Sequence, residues 1–279
     1  MNVVGLYGGS GFIGTHFQQM LKKTSNHNSQ IHLLPNRGSP EQIKIALKKL
    51  DALSGESVQT SILYLAENNE IAQANKLGPD YTKLNTQRLE FILSNSDSRI
   101  IYASSVGVYG DLSELPHHPA EIVNALNLYA RSKLECEKLV LQAGGVVARL
   151  SNIYGPGMSE KNIISEVLKQ ITIKDIESIN IIDGTPTRDM IHISDVTSCL
   201  LAMTLIRKKG VYNVATGISI SMKDLAMMIF AAAQLRECTL VESNPSKATS
   251  CISLDISKTK EAFEWSPCIR LKDGLKKLI

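Results

Sequence analysis

The sequence has little of several things, and each shortage excludes a class. Cysteine is sparse: five residues, at 136, 199, 238, 251 and 268, with no CxxC pair and no regular spacing. That excludes a disulfide framework or a zinc ribbon and points to buried small apolar side chains in a reducing compartment; no metal site is expected. Charge of one sign is missing too. Lys and Arg outnumber Asp and Glu by only +3, which leaves no basic tail for nucleic acid and no acidic solvating segment. The one basic cluster, Arg207-Lys208-Lys209, has no interleaved aromatics. The longest apolar run, Leu225 to Ala233, is half of what a bilayer requires, and no basic leader precedes the first apolar stretch. The expectation is a soluble cytoplasmic protein with no membrane or nucleic-acid partner.

What is present is an apolar content of 43%, enough to fill a sizeable core. The first half alternates short β-branched runs with helical patterns. Strands are expected at 2–7, 31–34, 61–65, 99–103 and 146–150, and helices at 12–23, 40–53, 80–95 and 124–143. Near-continuous apolar strands separated by helices imply an α/β fold of Rossmann-like type, a mostly parallel sheet with helices on both faces. Beyond Pro156 the pattern loosens into helical segments near 162–171, 194–207, 221–233 and 257–264 and short apolar stretches near 179–182, 211–214 and 251–254. The reading is a dinucleotide-binding domain over 1–155. A smaller, interleaved substrate lobe follows over 156–279, with segments returning to the first domain.

Gly8, Gly11 and Gly14 follow the first strand and open the first helix. In that context Gly8 permits a tight turn, Gly11 lets the backbone approach a pyrophosphate, and Gly14 lets helix pack on strand. The unpaired amides at the helix start then face the anion. Cofactor choice should be read at the end of the second strand. There Leu34, Pro35, Asn36 and Arg37 stand with no carboxylate to clamp an NAD ribose, while Arg37 could pair with the 2′-phosphate of NADP. Either NAD or NADP is therefore expected.

Tyr129 and Lys133 share a helix face four residues apart. A phenol with a reference pKa of about 10 becomes a usable acid/base when an ammonium stands beside it. Ser104 and Ser105 lie at the carboxyl end of a strand, where functional groups of parallel sheets gather.

GGSGFIG at 8–14, ILYLA at 62–66, LN at 84–85, YASSVGVYG at 102–110, YARSK at 129–133, RLSNIYGPG at 149–157, TPTRDMIHISDV at 185–196 and DISKTKEAFEW at 255–265 run in one order along the chain. Together they resemble the extended short-chain dehydrogenase/reductase superfamily, in its NAD-dependent epimerase/dehydratase group acting mainly on nucleotide sugars. The resemblance implies Tyr129 as proton carrier, Lys133 as its partner on the nicotinamide ribose, and Ser105 as the substrate-holding hydroxyl, with Ser104 its alternative. It extends the cofactor set to Phe12, Ile13, Leu65, Ala66 and Asn85. It implies Tyr109 as a pocket aromatic, Asn152 and Asn162 as contacts to sugar and diphosphate, and Arg188 as a diphosphate arginine. The other reading of Arg188 is a salt bridge to Asp189 or Asp195. His192 and Asp195 are expected to be structural, and a homodimer built on helices 80–95 and 124–143 is implied.

Three departures qualify this. Val106 and Gly107 stand where dehydrating members carry an acidic pair, so a 4,6-dehydratase is not expected. The stretch 35–61 is too short for the further strand that the family usually fits there, leaving Asp51 as the candidate to replace its adenine contact. A second diphosphate arginine is missing, with Lys247 as a candidate replacement. An epimerase/oxidoreductase leads, with an NADPH-dependent 4-ketosugar reductase as alternative and a non-catalytic binding protein as the third reading.

Overall fold

The computed structural model describes residues 1–23, 29–67, 71–110, 115–173, 176–235, 238–245 and 250–279. The elements of the first half are β1 (Asn2–Tyr7), α1 (Phe12–Lys23), β2 (Ser29–Leu34), α2 (Pro40–Asp51), β3 (Gln59–Tyr64), α3 (Ile71–Leu77), α4 (Pro79–Leu93), β4 (Arg99–Ser105), α5 (Leu128–Gln142) and β5 (Val146–Leu150). Then come β6 (Asn152–Tyr154), α6 (Ile163–Ile171), β7 (Ser178–Ile181), β8 (Thr187–His192), α7 (Ile193–Leu205) and β9 (Gly210–Val214). The chain finishes with β10 (Ser219–Ser221), α8 (Met222–Ala232), β11 (Thr239–Glu242), α9 (Ser257–Phe263) and α10 (Leu271–Leu275).

Six strands form one parallel sheet in the order β2-β1-β3-β4-β5-β9. β1, wholly buried, pairs with β2 on one side and β3 on the other. The chain therefore reverses its winding between β1 and β3, and a crevice opens there beyond the strands' carboxyl ends, the place where doubly wound sheets take ligands. β2 is an edge strand: α2 leads straight from it to β3, and among the described residues no further strand lies outside it.

Two apolar layers cover the sheet. Phe17 of α1, Val196, Cys199 and Leu200 of α7 and Phe263 of α9 pack on one face. Leu47 and Leu50 of α2, Leu89 and Ile92 of α4, and Cys136 and Val140 of α5 pack on the other. A third core, including Ile164, Val167, Met190, Leu225 and Phe230, belongs to the C-terminal lobe with its small sheets β10-β8-β6 and β11-β7. The lobe is interleaved with the sheet domain, since β9 completes the main sheet and α7 packs on α1.

The structure differs from the sequence expectation at several places. Helix 80–95 is preceded by α3, and the break falls at Gly78 (φ +57°) before Pro79. The helix expected from 124 starts at Leu128, because Asn127 is the residue whose side chain caps the Ala130 amide. The stretch 251–254 gives isolated bridges, Thr187 to Cys251 and His117 to Leu254, and no strand. Asp51 cannot meet an adenine: it accepts from Ser96 Oγ (2.8 Å) and Ser98 Oγ (2.7 Å) at the far end of α2. All five cysteines are free thiols. Among the described residues no helix is long and apolar enough to cross a membrane, and no group of three potential metal ligands comes together.

Candidate active site

Gly8, Ser10, Gly11, Asn36, Arg37, Leu65, Ala66, Glu67 and Arg88 line a cleft of about 460 Å³ at the β1/β3 crevice. The three glycines do different work. Gly8 has φ +104°, and a Cβ on it would stand 2.8 Å from the Ala66 amide nitrogen. A Cβ on Gly14 would stand 2.3 Å from the Gly8 carbonyl oxygen, so this glycine seats helix on turn. At Gly11 the nearest atom would be that same oxygen at 3.5 Å, which leaves its face open to the cleft. Gly11→Ala is therefore expected to leave the melting temperature within about 2 °C while weakening dinucleotide binding at least about tenfold, as a methyl displaces the pyrophosphate. Gly14→Ala is expected to cost about 1–3 kcal/mol of stability by overpacking. Thermal unfolding and a fluorescence titration with reduced cofactor separate the two. Phe12 and Ile13 pack on the sheet core, and Phe12 meets His16 edge-on at 5.1 Å. Arg37 is exposed on the cleft rim. Arg88 of α4 reaches the same cleft, and sequence reading missed it because nothing local marks an exposed helical arginine as a ligand group.

Tyr129 and Lys133 stand on the first turns of α5, Tyr129 half-buried and Lys133 buried. The Lys133 ammonium donates to the Ala103 carbonyl at 2.8 Å and lies 5.8 Å from the Tyr129 ring centroid and 4.9 Å from that of Tyr102. It also pairs with Glu67 Oε2 at 2.7 Å, while the other oxygen of Glu67 accepts from the Tyr102 hydroxyl at 2.7 Å. Burial works to lower the lysine's pKa, but Glu67 and then Tyr129 outweigh it and hold the ammonium above its ordinary range. Desolvation pushes Tyr102 up strongly, with Glu67 adding to it, and Tyr81 is pushed up to about 12. Asn85 uses its amide to tie α4 to α5 through Ser132 Oγ, 3.1 Å away.

The two serines at the end of β4 part company. Ser105 is half-buried, and its Oγ accepts from the Gly107 amide at 3.1 Å, which leaves its hydroxyl proton to donate. Ser104 is buried and donates to Glu137, whose carboxylate is clamped by Arg149 through Nη2 (2.7 Å) and Nε (3.1 Å). Strand alternation sends Ser104 into that network, away from an open pocket. Tyr109 is a similar correction. It is fully buried, its hydroxyl bonded to Asn213, its ring stacked on His117 at 4.7 Å and the Arg149 guanidinium 4.8 Å from its centroid. It supports the site from within.

In the lobe, Asn152 is half-buried with its amide 3.4 Å from the Asp189 carbonyl oxygen. Asn162 caps α6, accepting from the Ser165 amide (3.0 Å) and donating to the Ser159 carbonyl (2.6 Å). Any substrate contact there competes with the cap. The half-buried Arg188 donates to the carbonyls of Thr187 (2.8 Å) and Ser250 (3.0 Å). Of the two acids expected as its salt-bridge partner, Asp189 accepts the amides of Thr216, Gly217 and Ile218, and Asp195 those of Cys268 and Ile269. Burial raises the Asp189 carboxyl, and those backbone amides pull it back. His192 caps α7 through Nδ1, and burial lowers its pKa. Lys247 lies outside the described residues.

With this geometry in hand, comparison with known proteins is direct. The family model described as "NAD dependent epimerase/dehydratase family" matches residues 4–215. The chain belongs to this family. It is accordingly an enzyme of the NAD(P)-dependent, extended short-chain dehydrogenase/reductase type. Within the epimerase/dehydratase family, it is 28% identical to a putative UDP-glucose 4-epimerase of Methanocaldococcus jannaschii, over 98% of this chain and 95% of that one. It is 26% identical to a GDP-6-deoxy-D-mannose reductase of Pseudomonas aeruginosa, over 97% and 93%. Among solved structures, RMD from Pseudomonas aeruginosa complexed with NADPH superposes with a TM-score of 0.82 at 24% identity, covering 99% of this chain and 97% of that one. A UDP-glucose 4-epimerase with UDP-glucose from Thermotoga maritima gives 0.80 at 21%, covering 99% and 96%. The two structures share the epimerase/dehydratase fold with this chain.

Proposed function

We propose that this protein is an NAD(P)-dependent nucleotide-sugar epimerase/oxidoreductase that works at a secondary alcohol of the sugar, with Tyr129 as acid/base. The observation that carries the reading is the Tyr129–Lys133 pair on α5, its ammonium 5.8 Å from the phenol ring and anchored to the strand that ends at Ser105. The open face of Gly11 and the cleft beside it fit a dinucleotide pyrophosphate. Gly8, Gly11 and the first amides of α1 would hold the diphosphate, and Leu65 and Ala66 would bound the cleft on the β3 side. When bound, the nicotinamide supplies hydride acceptance and donation.

The remaining work falls to the chain's own groups. Ser105 donates its hydroxyl proton to the substrate oxygen and steadies the charge that develops there. Tyr129 Oη takes the proton of the sugar hydroxyl on oxidation, or returns one to the carbonyl oxygen on reduction. Lys133 keeps a cation next to that phenol. Val106 and Gly107 offer no group to protonate a leaving hydroxyl, so the site is equipped for proton and hydride exchange without elimination.

A specific observation favours a second reading, a 4-ketosugar reductase using exchangeable NADPH. Arg37 and Arg88 both line the cleft, and no carboxylate stands at the end of β2 to select the ribose of NAD. Replacing both arginines by alanine is expected to lower the NADPH-over-NADH preference about tenfold or more, for the loss of two phosphate-directed cations. Competitive binding titrations read it, and an unchanged preference removes this reading. To test the lead proposal, the purified protein is unfolded and its released cofactor identified, then assayed with UDP- and GDP-sugars. Stoichiometric NAD and interconversion of epimers support it. No conversion of any nucleotide sugar with either cofactor would remove it.

We also propose a homodimer through α4 and α5, which pack on each other and leave Leu84 55% exposed on the outer side. The solution mass is then twice 30.6 kDa, and Leu84→Asp shifts it toward the monomer.

A further inference from the structure

Among the described residues Glu67 is the carboxylate that shares the buried ground of Lys133, and neither the sequence motifs nor the reaction just described gives it a task. Its side chain is 2% exposed, a costly place for an anion unless it is paired. It is paired on both oxygens, with the Lys133 ammonium on one and the Tyr102 hydroxyl on the other, each at 2.7 Å. Tyr102 is itself fully buried on β4, so it holds the carboxylate in a single orientation. Lys133 has three protons to give. One goes to the Ala103 carbonyl, and the ammonium also stands against Glu67 as an ion pair, so its charge is drawn to the side of β4.

The charge balance matters more than the geometry alone. A bare ammonium beside Tyr129 would draw the proton from the phenol strongly. An ammonium already matched by a carboxylate offers only the residue of an ion pair. Resting on the functional reading above, we infer that Glu67 is a positioning residue of this enzyme: it locks the Lys133 ammonium against β4 and mutes its charge, biasing Tyr129 toward proton donation. A site so biased suits the direction in which a carbonyl is reduced, and withdrawal of a hydroxyl proton then depends on the positive charge that an oxidised nicotinamide brings.

Other groups face this pair, and none of them replaces Glu67. From α5 come Tyr129 and Cys136, from β4 Tyr102, from β3 Tyr64 and from α4 Tyr81, with Tyr7 of β1 and Arg88 of α4 beside Tyr64. Among the described residues α3 adds only the exposed Lys76. The neutral phenols and the thiol carry no charge, and Arg88 sits on the exposed side of α4.

The test reads Tyr129 directly. Burial raises the other seven tyrosines, at 7, 64, 81, 102, 109, 154 and 212, so their ionisation is displaced to more alkaline pH. Subtracting the tyrosinate absorbance of a Tyr129→Phe protein from that of its parent isolates the Tyr129 step. In Glu67→Gln that step moves to lower pH by about one unit or more, because the ammonium loses the carboxylate that matched it and the phenolate takes that place. Glu67→Asp, which keeps the charge, brings it back toward the wild-type position. The pH profile of turnover follows the same shifts. A step that stays in place or moves up in Glu67→Gln, as it would if Lys133 simply shed its proton, overturns the inference. If the step shifts while the wild-type protein converts no nucleotide sugar, the pairing stands and the enzymatic reading falls. Turnover with an unshifted step does the reverse.

Discussion

Replacing Tyr129 by phenylalanine is expected to lower turnover about a thousandfold, within the usual span for losing a positioned acid/base, and to leave cofactor affinity nearly unchanged. Only the hydroxyl is removed. Lys133 keeps its contacts to Ala103 and Glu67, so the ammonium stays in place. Phenylalanine also preserves the half-buried ring at the start of α5. Steady-state rates with a nucleotide sugar and a separate cofactor titration give the two numbers. Losses shared equally between rate and cofactor binding would mean that Tyr129 holds the dinucleotide and moves no proton. Lys133→Ala makes the contrast. It strips Glu67 of its cation and leaves it only the Tyr102 hydroxyl, and it is expected to lose stability as well as turnover.

The second large effect concerns stability, at Arg149 and Glu137. Both side chains are at most 5% exposed, and they meet through a two-point fork. Glu137 also takes the Ser104 hydroxyl, and Arg149 stands by the Tyr109 ring. Removing one partner leaves the other as an uncompensated buried charge, which costs about 3–5 kcal/mol. For a chain of this size that is a fall of about 10 °C in melting temperature. Arg149→Met and Glu137→Leu are each expected to show it. The double variant is expected to recover most of the loss, since it buries no charge at all. Thermal unfolding of the four proteins closes the cycle. Single variants within about 1 kcal/mol of wild type would show that solvent reaches the pair.

What could be read from the sequence was what lies close together along it. Gly8, Gly11 and Gly14 fall within one turn and one helix start, and Tyr129 and Lys133 within one turn of α5, so spacing alone brings them into register. Strand and helix order followed in the same way from periodicity, including the short segment 35–61 that leaves β2 at the sheet's edge. Pairings between distant segments were not legible. Glu67 meets Lys133, and Ser104, Glu137 and Arg149 converge, only because β3, β4, α5 and β5 are neighbours in space. Strand pleat sends Ser104 to Glu137 and leaves Ser105 half-buried on the other side, and a one-residue error in phase would have exchanged them. Asn162 and Tyr109 have motif positions that fit a ligand, but a helix cap and a buried aromatic stack account for their contacts here.

The central claim, that a hydride passes at a sugar carbinol carbon while Tyr129 handles only the proton, is tested most directly by isotope tracing. The protein is given a nucleotide sugar carrying deuterium on the reacting carbinol carbon, and product and cofactor are read by mass spectrometry and NMR. The account predicts that the deuterium stays on carbon, either returned to the epimerised sugar or found on the nicotinamide, with none released to water. Deuterium appearing in the solvent at the rate of turnover would contradict it, because the carbon would then be giving up a proton and not a hydride.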